Sequence, residues 1–116
     1  MSSAKELHLQ QIKAIANAKG APEDDKKYTV VDVRTKQEYE GGHIPSAINI
    51  PVSDFESYLK NPSSDFPKPN DPVNNLVLYC KSGMRTRKAK DAAESHGYKD
   101  NLYVYYGGWD EYGQLA

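Results

Sequence analysis

The stretch Asn75-Leu-Val-Leu-Tyr-Cys80-Lys-Ser-Gly-Met-Arg85-Thr86 changes character at its midpoint. Up to Cys80 it is a nearly continuous apolar run, as a strand covered on both faces requires. Lys81 to Met84 forms a short loop around Gly83. From Arg85 to His96 the chain reads as a helix, with Ala89, Ala92 and Ala93 on its packing side and Gly97 just past its end. Such strand–loop–helix units build parallel α/β sheets, and ligands bind those sheets beyond the carboxyl ends of the strands. Cys80 stands at such an end.

The flanking sequence repeats the pattern. Tyr28-Thr-Val-Val-Asp-Val33 reads as a second buried strand, Ala47-Ile-Asn-Ile50 as a short one and Leu102-Tyr-Val-Tyr105 as the last. Between them, Thr35-Lys-Gln-Glu38 and Ser53-Asp-Phe-Glu56 have capping-box spacing and predict two helices, the second with Phe55, Tyr58 and Leu59 inward. Ser3-Ala-Lys-Glu6 has the same spacing. It predicts an N-terminal helix within residues 1–22, with Leu9, Ile12, Ile15 and Ala16 on one stripe and Gly20 and Pro22 at its end. Residues 23–27 are a polar connector. Residues 61–72 carry four of the seven prolines and read as an irregular surface loop. Gly107-Gly108 turns the chain into a terminal helix from Trp109 to Leu115. The expected fold is one α/β domain over residues 1–116, a central parallel sheet with right-handed crossovers and helices on both faces.

Composition narrows the function. The 116 residues carry 15 Lys and Arg against 16 Asp and Glu, a net charge of −1. That balance argues against nucleic acid or an anionic membrane as the partner. Cys80 is the only cysteine, so no internal disulfide and no paired-cysteine zinc site can form. With His8, His43 and His96 scattered, no metal is expected. No run approaches the ~18 apolar residues of a membrane span. The first twenty residues lack a signal or transit pattern. A reduced intracellular compartment is expected, cytoplasmic first and mitochondrial second.

Several effects converge on Cys80. Backbone N–H groups of a tight loop can form an anion nest. The following helix presents the positive end of its dipole. Lys81 and Arg85 add formal charge, with Arg87 and Lys88 a turn further on. A thiol in that field should ionise below the ordinary ~8.5, and the thiolate is the nucleophile. A lone cysteine after a buried strand can also be a small core hydrophobe, but a core cysteine needs neither nest nor arginine. Elsewhere, Asp32 and Arg34 read as a buried pair fixing loops at a strand end, with Arg34 able to add field at the pocket. His96 reads as a helix C-terminal residue and His8 as exposed. Tyr103, Tyr105 and Tyr106 read as packing residues with hydroxyls at the rim, and Trp109 as a core anchor near the site.

Five segments, in order over residues 28–112, resemble the single-domain rhodaneses, which are thiosulfate sulfurtransferases. They are Val31-Asp-Val-Arg34 with Glu38-Tyr39, Gly42-His-Ile-Pro-Ser-Ala-Ile-Asn-Ile-Pro51, the loop Cys80–Arg85, Gly97-Tyr98, and Tyr106-Gly-Gly-Trp109. Ser46 replaces the family's usual glycine. The family also opens with a short strand, which Met1 to Lys5 hardly provides. The resemblance implies ping-pong chemistry without metal or organic cofactor. Cys80 would take the outer sulfur of thiosulfate as a persulfide and pass it to cyanide or a thiol such as glutathione or thioredoxin. The N–H groups of Lys81, Ser82, Gly83, Met84 and Arg85 would stabilise the persulfide, and Lys81 and Arg85 would orient thiosulfate. His43 would bond backbone rather than act as a base. Two alternatives stand beside this. Rhodanese-like domains also serve as non-catalytic regulatory or interaction modules, often without the cysteine. Phosphatases and arsenate reductases of the same fold place five residues between Cys and Arg, where this chain has four.

Overall fold

The structure, a computed structural model, describes residues 4–17 and 27–115. In chain order its elements are β1 (Lys5–Glu6), α1 (Leu9–Asn17), β2 (Lys27–Asp32), α2 (Lys36–Glu40), β3 (Ile48–Asn49), α3 (Val52–Lys60), β4 (Asn74–Tyr79), α4 (Met84–Ser95), β5 (Leu102–Tyr105) and α5 (Gly108–Leu115). The five strands form one sheet in the order β1-β5-β4-β2-β3. Every neighbouring pair is parallel, with Val31 opposite Leu78 and Leu78 opposite Val104.

Strand side chains alternate between the two faces, and each face has its own cluster. Val31, Val33, Leu76, Leu78, Leu102 and Val104 pack with Phe55 and Leu59 of α3 and Ala89 and Ala93 of α4. Val30, Val77, Tyr79 and Tyr105 pack with Ile12 and Ala16 of α1 and Tyr112 of α5. The result is the expected three-layer α/β arrangement. Burying a side chain such as Leu78 or Phe55, neither of them exposed, contributes about 1.5–3 kcal/mol.

The N-terminus departs from its sequence reading. Glu6 is not the third residue of a helix but part of β1, which pairs with Tyr103 and Val104 at the sheet edge. Ser3 lies outside the described residues, as do Gly20, Pro22 and residues 23–26 of the connector. Helix α1 starts after His8, whose N–H donates to Gln11 Oε1 at 2.8 Å and whose carbonyl accepts from Ile12 N–H at 3.0 Å. The Ser53 capping box does not form either. Helix α3 starts two residues earlier than a Ser53 cap would set it, at Val52 after Pro51, and Val52 N–H is drawn to the carbonyl of Val33 at 2.9 Å. The preset φ of proline suits a helix entrance. The Thr35 box does form, with its hydroxyl and Glu38 bonded reciprocally. The proline-rich loop is fastened by Tyr98, whose hydroxyl donates to Pro67 O at 2.6 Å, and by Asn101 Nδ2, which donates to Lys68 O at 2.9 Å.

Candidate functional site

The parallel sheet delivers Cys80 to the end of its central strand β4. Alternation turns the side chain toward the α3–α4 face, where it is 1% exposed. Gly83 then reverses the chain at φ 107° and precedes α4 directly. A β-carbon there would lie 3.3 Å from Tyr106 O, so both conformation and space favour glycine. This turn aims Gly83 N–H at the sulfur, with N to Sγ at 3.0 Å.

The loop is clamped from outside by the start of α5. Trp109 N–H donates to Cys80 O at 2.8 Å and Asp110 N–H to Lys81 O at 3.0 Å. Such close backbone contact requires Gly108, at φ 62°, whose β-carbon would stand 2.4 Å from Cys80 O.

Burial pushes the Cys80 thiol upward, but surrounding donors outweigh it and leave it below its ordinary range. Gly83 N–H donates to it directly, and the nearby Thr86 hydroxyl and the N–H groups of Thr86 and Ser82 add to the lowering. Backbone and hydroxyl dipoles, rather than the loop's cations, lower its pKa. Lys81 is exposed and paired with Asp110 at 2.9 Å. Arg85 lies bidentate on Glu38, at 2.7 and 3.1 Å. The Arg87 guanidinium sits 4.6 Å from the Tyr106 ring centre. Ser82 and Met84 are exposed, Met84 at 80%. Arg85 remains within electrostatic reach of Cys80, and Glu38 and Cys80 both raise its pKa.

Asp32, Arg34 and Trp109 belong to a second assembly on the other face. Arg34 bonds Asp32 through Nε at 3.0 Å to each oxygen and through Nη2 at 2.7 Å, and also donates to Gly42 O at 2.6 Å. Tyr79 hydroxyl donates to Asp32 Oδ2 at 2.7 Å and accepts from Ile44 N–H at 3.1 Å. Burial raises the Tyr79 phenol far above its usual range, so it acts as a neutral link. The Arg34 guanidinium lies 5.4 Å from the Trp109 ring. These contacts fasten the Gly42–Ile44 segment to the sheet end. His43 is committed to Tyr39, with Nδ1 2.9 Å from its carbonyl and the rings stacked at 3.8 Å. Among the described residues, no three His, Cys, Asp or Glu side chains are grouped to hold a metal ion.

Sequence reasoning missed three partners: Glu38 for Arg85, Asp110 for Lys81, and Thr86 at the sulfur. Thr86 is fully buried, and its hydroxyl is the one buried side-chain polar atom among the described residues that makes no hydrogen bond. It biases Cys80 toward the thiolate without reaching bonding geometry. Position alone marked it, one residue after Arg85 in the first turn of α4.

A parallel sheet with a cysteine loop at its central strand end defines a class, and comparison with known proteins names it. A family model for the rhodanese-like domain matches residues 15–115, and the chain belongs to that family. A Schizosaccharomyces pombe protein named "Putative thiosulfate sulfurtransferase, mitochondrial" is 33% identical, over 93% of this chain and 79% of its own length. The human single-domain sulfurtransferase TSTD1 superposes with TM-score 0.73 at 28% identity, over 100% of this chain and 99% of its own. Saccharomyces cerevisiae single-domain sulfurtransferase RDL2 gives 0.76 at 28% identity, over 98% and 92%. A tRNA uridine(34) hydroxylase of Pectobacterium carotovorum is 35% identical, but the chain spans only 28% of its length. No helix among the described residues is long and apolar enough to cross a membrane.

Proposed function

We propose that the protein is a thiosulfate sulfurtransferase that carries sulfur on Cys80. The observation that carries this reading is the Cys80 sulfur itself, buried against Gly83 N–H at 3.0 Å and biased toward the thiolate. In the first half-reaction the thiolate attacks the outer sulfur of thiosulfate. The Sγ–S bond forms as the S–S bond of thiosulfate breaks, and sulfite leaves with the bonding electrons. Cys80 is left as a persulfide anion, held by the N–H groups that held the thiolate. In the second, cyanide or a thiolate attacks the outer sulfur, giving thiocyanate or a new persulfide and returning the Cys80 thiolate. An already ionised nucleophile needs no base, which suits the commitment of His43 to Tyr39. No organic cofactor or metal enters these steps.

With one cysteine in the chain, no internal disulfide can discharge the persulfide, so an external acceptor must take the sulfur. Glutathione and thioredoxin are candidates with the right chemistry. The cationic residues of the loop have separate parts. Arg85, steadied by Glu38, orients the sulfonate end of thiosulfate, and Lys81 at the rim assists sulfite departure. The phosphatase alternative is disfavoured by loop length, with four residues between Cys80 and Arg85. Initial rates with thiosulfate and cyanide varied together test the scheme. Parallel double-reciprocal lines are expected; intersecting lines would reject the covalent intermediate.

A further inference from the structure

From Lys81 to Lys90 the chain carries five cations, and four of them are committed. Lys81 pairs with Asp110 and Arg85 with Glu38. Arg87 lies over the Tyr106 ring at 4.6 Å, and Lys90 pairs with Asp91 and Glu94. Lys88 makes no ion pair among the described residues. It lines an open cleft of about 290 Å³ between α3 and α4, at the small end of the range for small-molecule sites. Val52, Phe55, Ala89 and Ala92 line the cleft with apolar surface, and Glu56 of α3 supplies the opposite charge. Glu56 has His96 Nε2 at 3.5 Å and no ion pair with Lys88. The upper part of the cleft lies at the cysteine end of the sheet. Helix α4 starts directly after the Cys80 loop, and α3 starts where Val52 N–H bonds Val33 O just past β2. Phe55 and Ala89 belong to the same core cluster as Cys80.

We propose that this cleft is the acceptor subsite and takes a short zwitterionic thiol peptide, with a carboxylate on Lys88, the ammonium toward Glu56 and the thiol toward Cys80. The inference rests on the sulfur-transfer reading and names the class of acceptor. Charge selects that class. An anion alone, such as a second thiosulfate, would meet Glu56 as well as Lys88, whereas a molecule bearing both charges complements both. The apolar lining suits the carbon chain between them. Reach agrees as well. Lys88 is four residues past Met84, which is about 6 Å of helix rise, and an extended three-residue peptide spans about 10 Å. In the transfer step the peptide thiol gives its proton to solvent, and the thiolate attacks the outer sulfur of the Cys80 persulfide. The new S–S bond forms as the bond to Cys80 Sγ breaks. The electron pair returns to Cys80 as thiolate, and the peptide leaves as a persulfide.

The test compares two acceptors, glutathione, which carries carboxylates and an ammonium, and 2-mercaptoethanol, which carries neither. The quantity read is the ratio of their kcat/KM values with thiosulfate as donor. Lys88 and Glu56 are both exposed, so their variants should fold as wild type does. Lys88→Ala should lower the ratio by about threefold to fivefold, the weight of an exposed ion pair. Glu56→Gln should lower it similarly, and Lys88→Arg should keep most of it. An unaltered ratio in Lys88→Ala or in Glu56→Gln would overturn the inference, as would an arginine variant no better than alanine. Absence of sulfur uptake by the wild type would instead reject the sulfur-transfer reading. Binding of the unreactive S-methylglutathione, followed by amide chemical shifts, would then decide the cleft by itself. Shifts along α3 and α4 that weaken in Lys88→Ala would support it, and none in the wild type would overturn it.

Discussion

Arg85 and Glu38 meet across 47 residues of sequence in a two-pronged ion pair, Nη1 to Oε1 at 2.7 Å and Nη2 to Oε2 at 3.1 Å. Glu38 is at the same time the third residue of the Thr35 capping box. The pair thus ties the start of α2 to the start of α4, and with it the last residue of the Cys80 loop. The Arg85 hydrogen bond holds the Glu38 carboxyl down to about 2.

Glu38→Gln should therefore loosen Arg85 more than it loosens the fold. Both partners are 30% exposed, so the stability loss should stay below about 1 kcal/mol. The KM for thiosulfate should rise by about tenfold, the equivalent of one charge-assisted contact, with kcat changed less. Steady-state kinetics check this, and an unchanged KM would remove Glu38 from the account. The pH dependence has a definite sign. A carboxyl depressed in the folded state stabilises above its unfolded pKa, and that contribution disappears as pH falls through the folded value. The stability gap between wild type and Glu38→Gln should hold from neutral pH down to about 4.5 and close toward about 2.

Gly108→Ala should damage the loop from outside. The added carbon would meet Cys80 O at 2.4 Å and Lys81 O at 2.6 Å, at a φ of 62°. Overpacking and backbone strain together predict a loss of about 2–4 kcal/mol. Sulfur uptake should fall even where the variant remains folded, because the clamp on Cys80 O is displaced. Chemical denaturation and intact mass measure the two effects, and a neutral result would contradict the clamp.

Tyr79→Phe should separate the buried Asp32–Arg34 assembly from the chemistry. It removes the bridge between Asp32 Oδ2 and Ile44 N–H and leaves one buried donor unpaired, at a cost of about 1–3 kcal/mol. Sulfur uptake per folded molecule should match wild type. A specific loss of uptake at wild-type stability would instead assign this assembly a part in catalysis.

The central unit was readable in sequence because its determinants are local. A continuous apolar run, a short loop around Gly83 and a run of alanines place Cys80 at a strand end before a helix, within one residue of the observed boundaries. Asp32 and Arg34 are two residues apart, and their pairing followed from that spacing. The pairs that tune the loop were not readable. Glu38 with Arg85 and Asp110 with Lys81 meet only once the sheet has brought distant helices to one end. β1 was hidden for a related reason. Lys5 and Glu6 have no strand propensity of their own and are strand only because β5 offers an open edge. At Pro51, tertiary pairing of Val52 N–H with Val33 O displaced a local capping signal at Ser53.

The most direct test of the central claim is the intact mass of the protein after incubation with thiosulfate under anaerobic conditions. The wild type should gain one sulfur atom, lost again on adding cyanide, while Cys80→Ser should gain none. A folded wild-type protein that gains no sulfur at any thiosulfate concentration would contradict the assignment of Cys80 as the sulfur carrier.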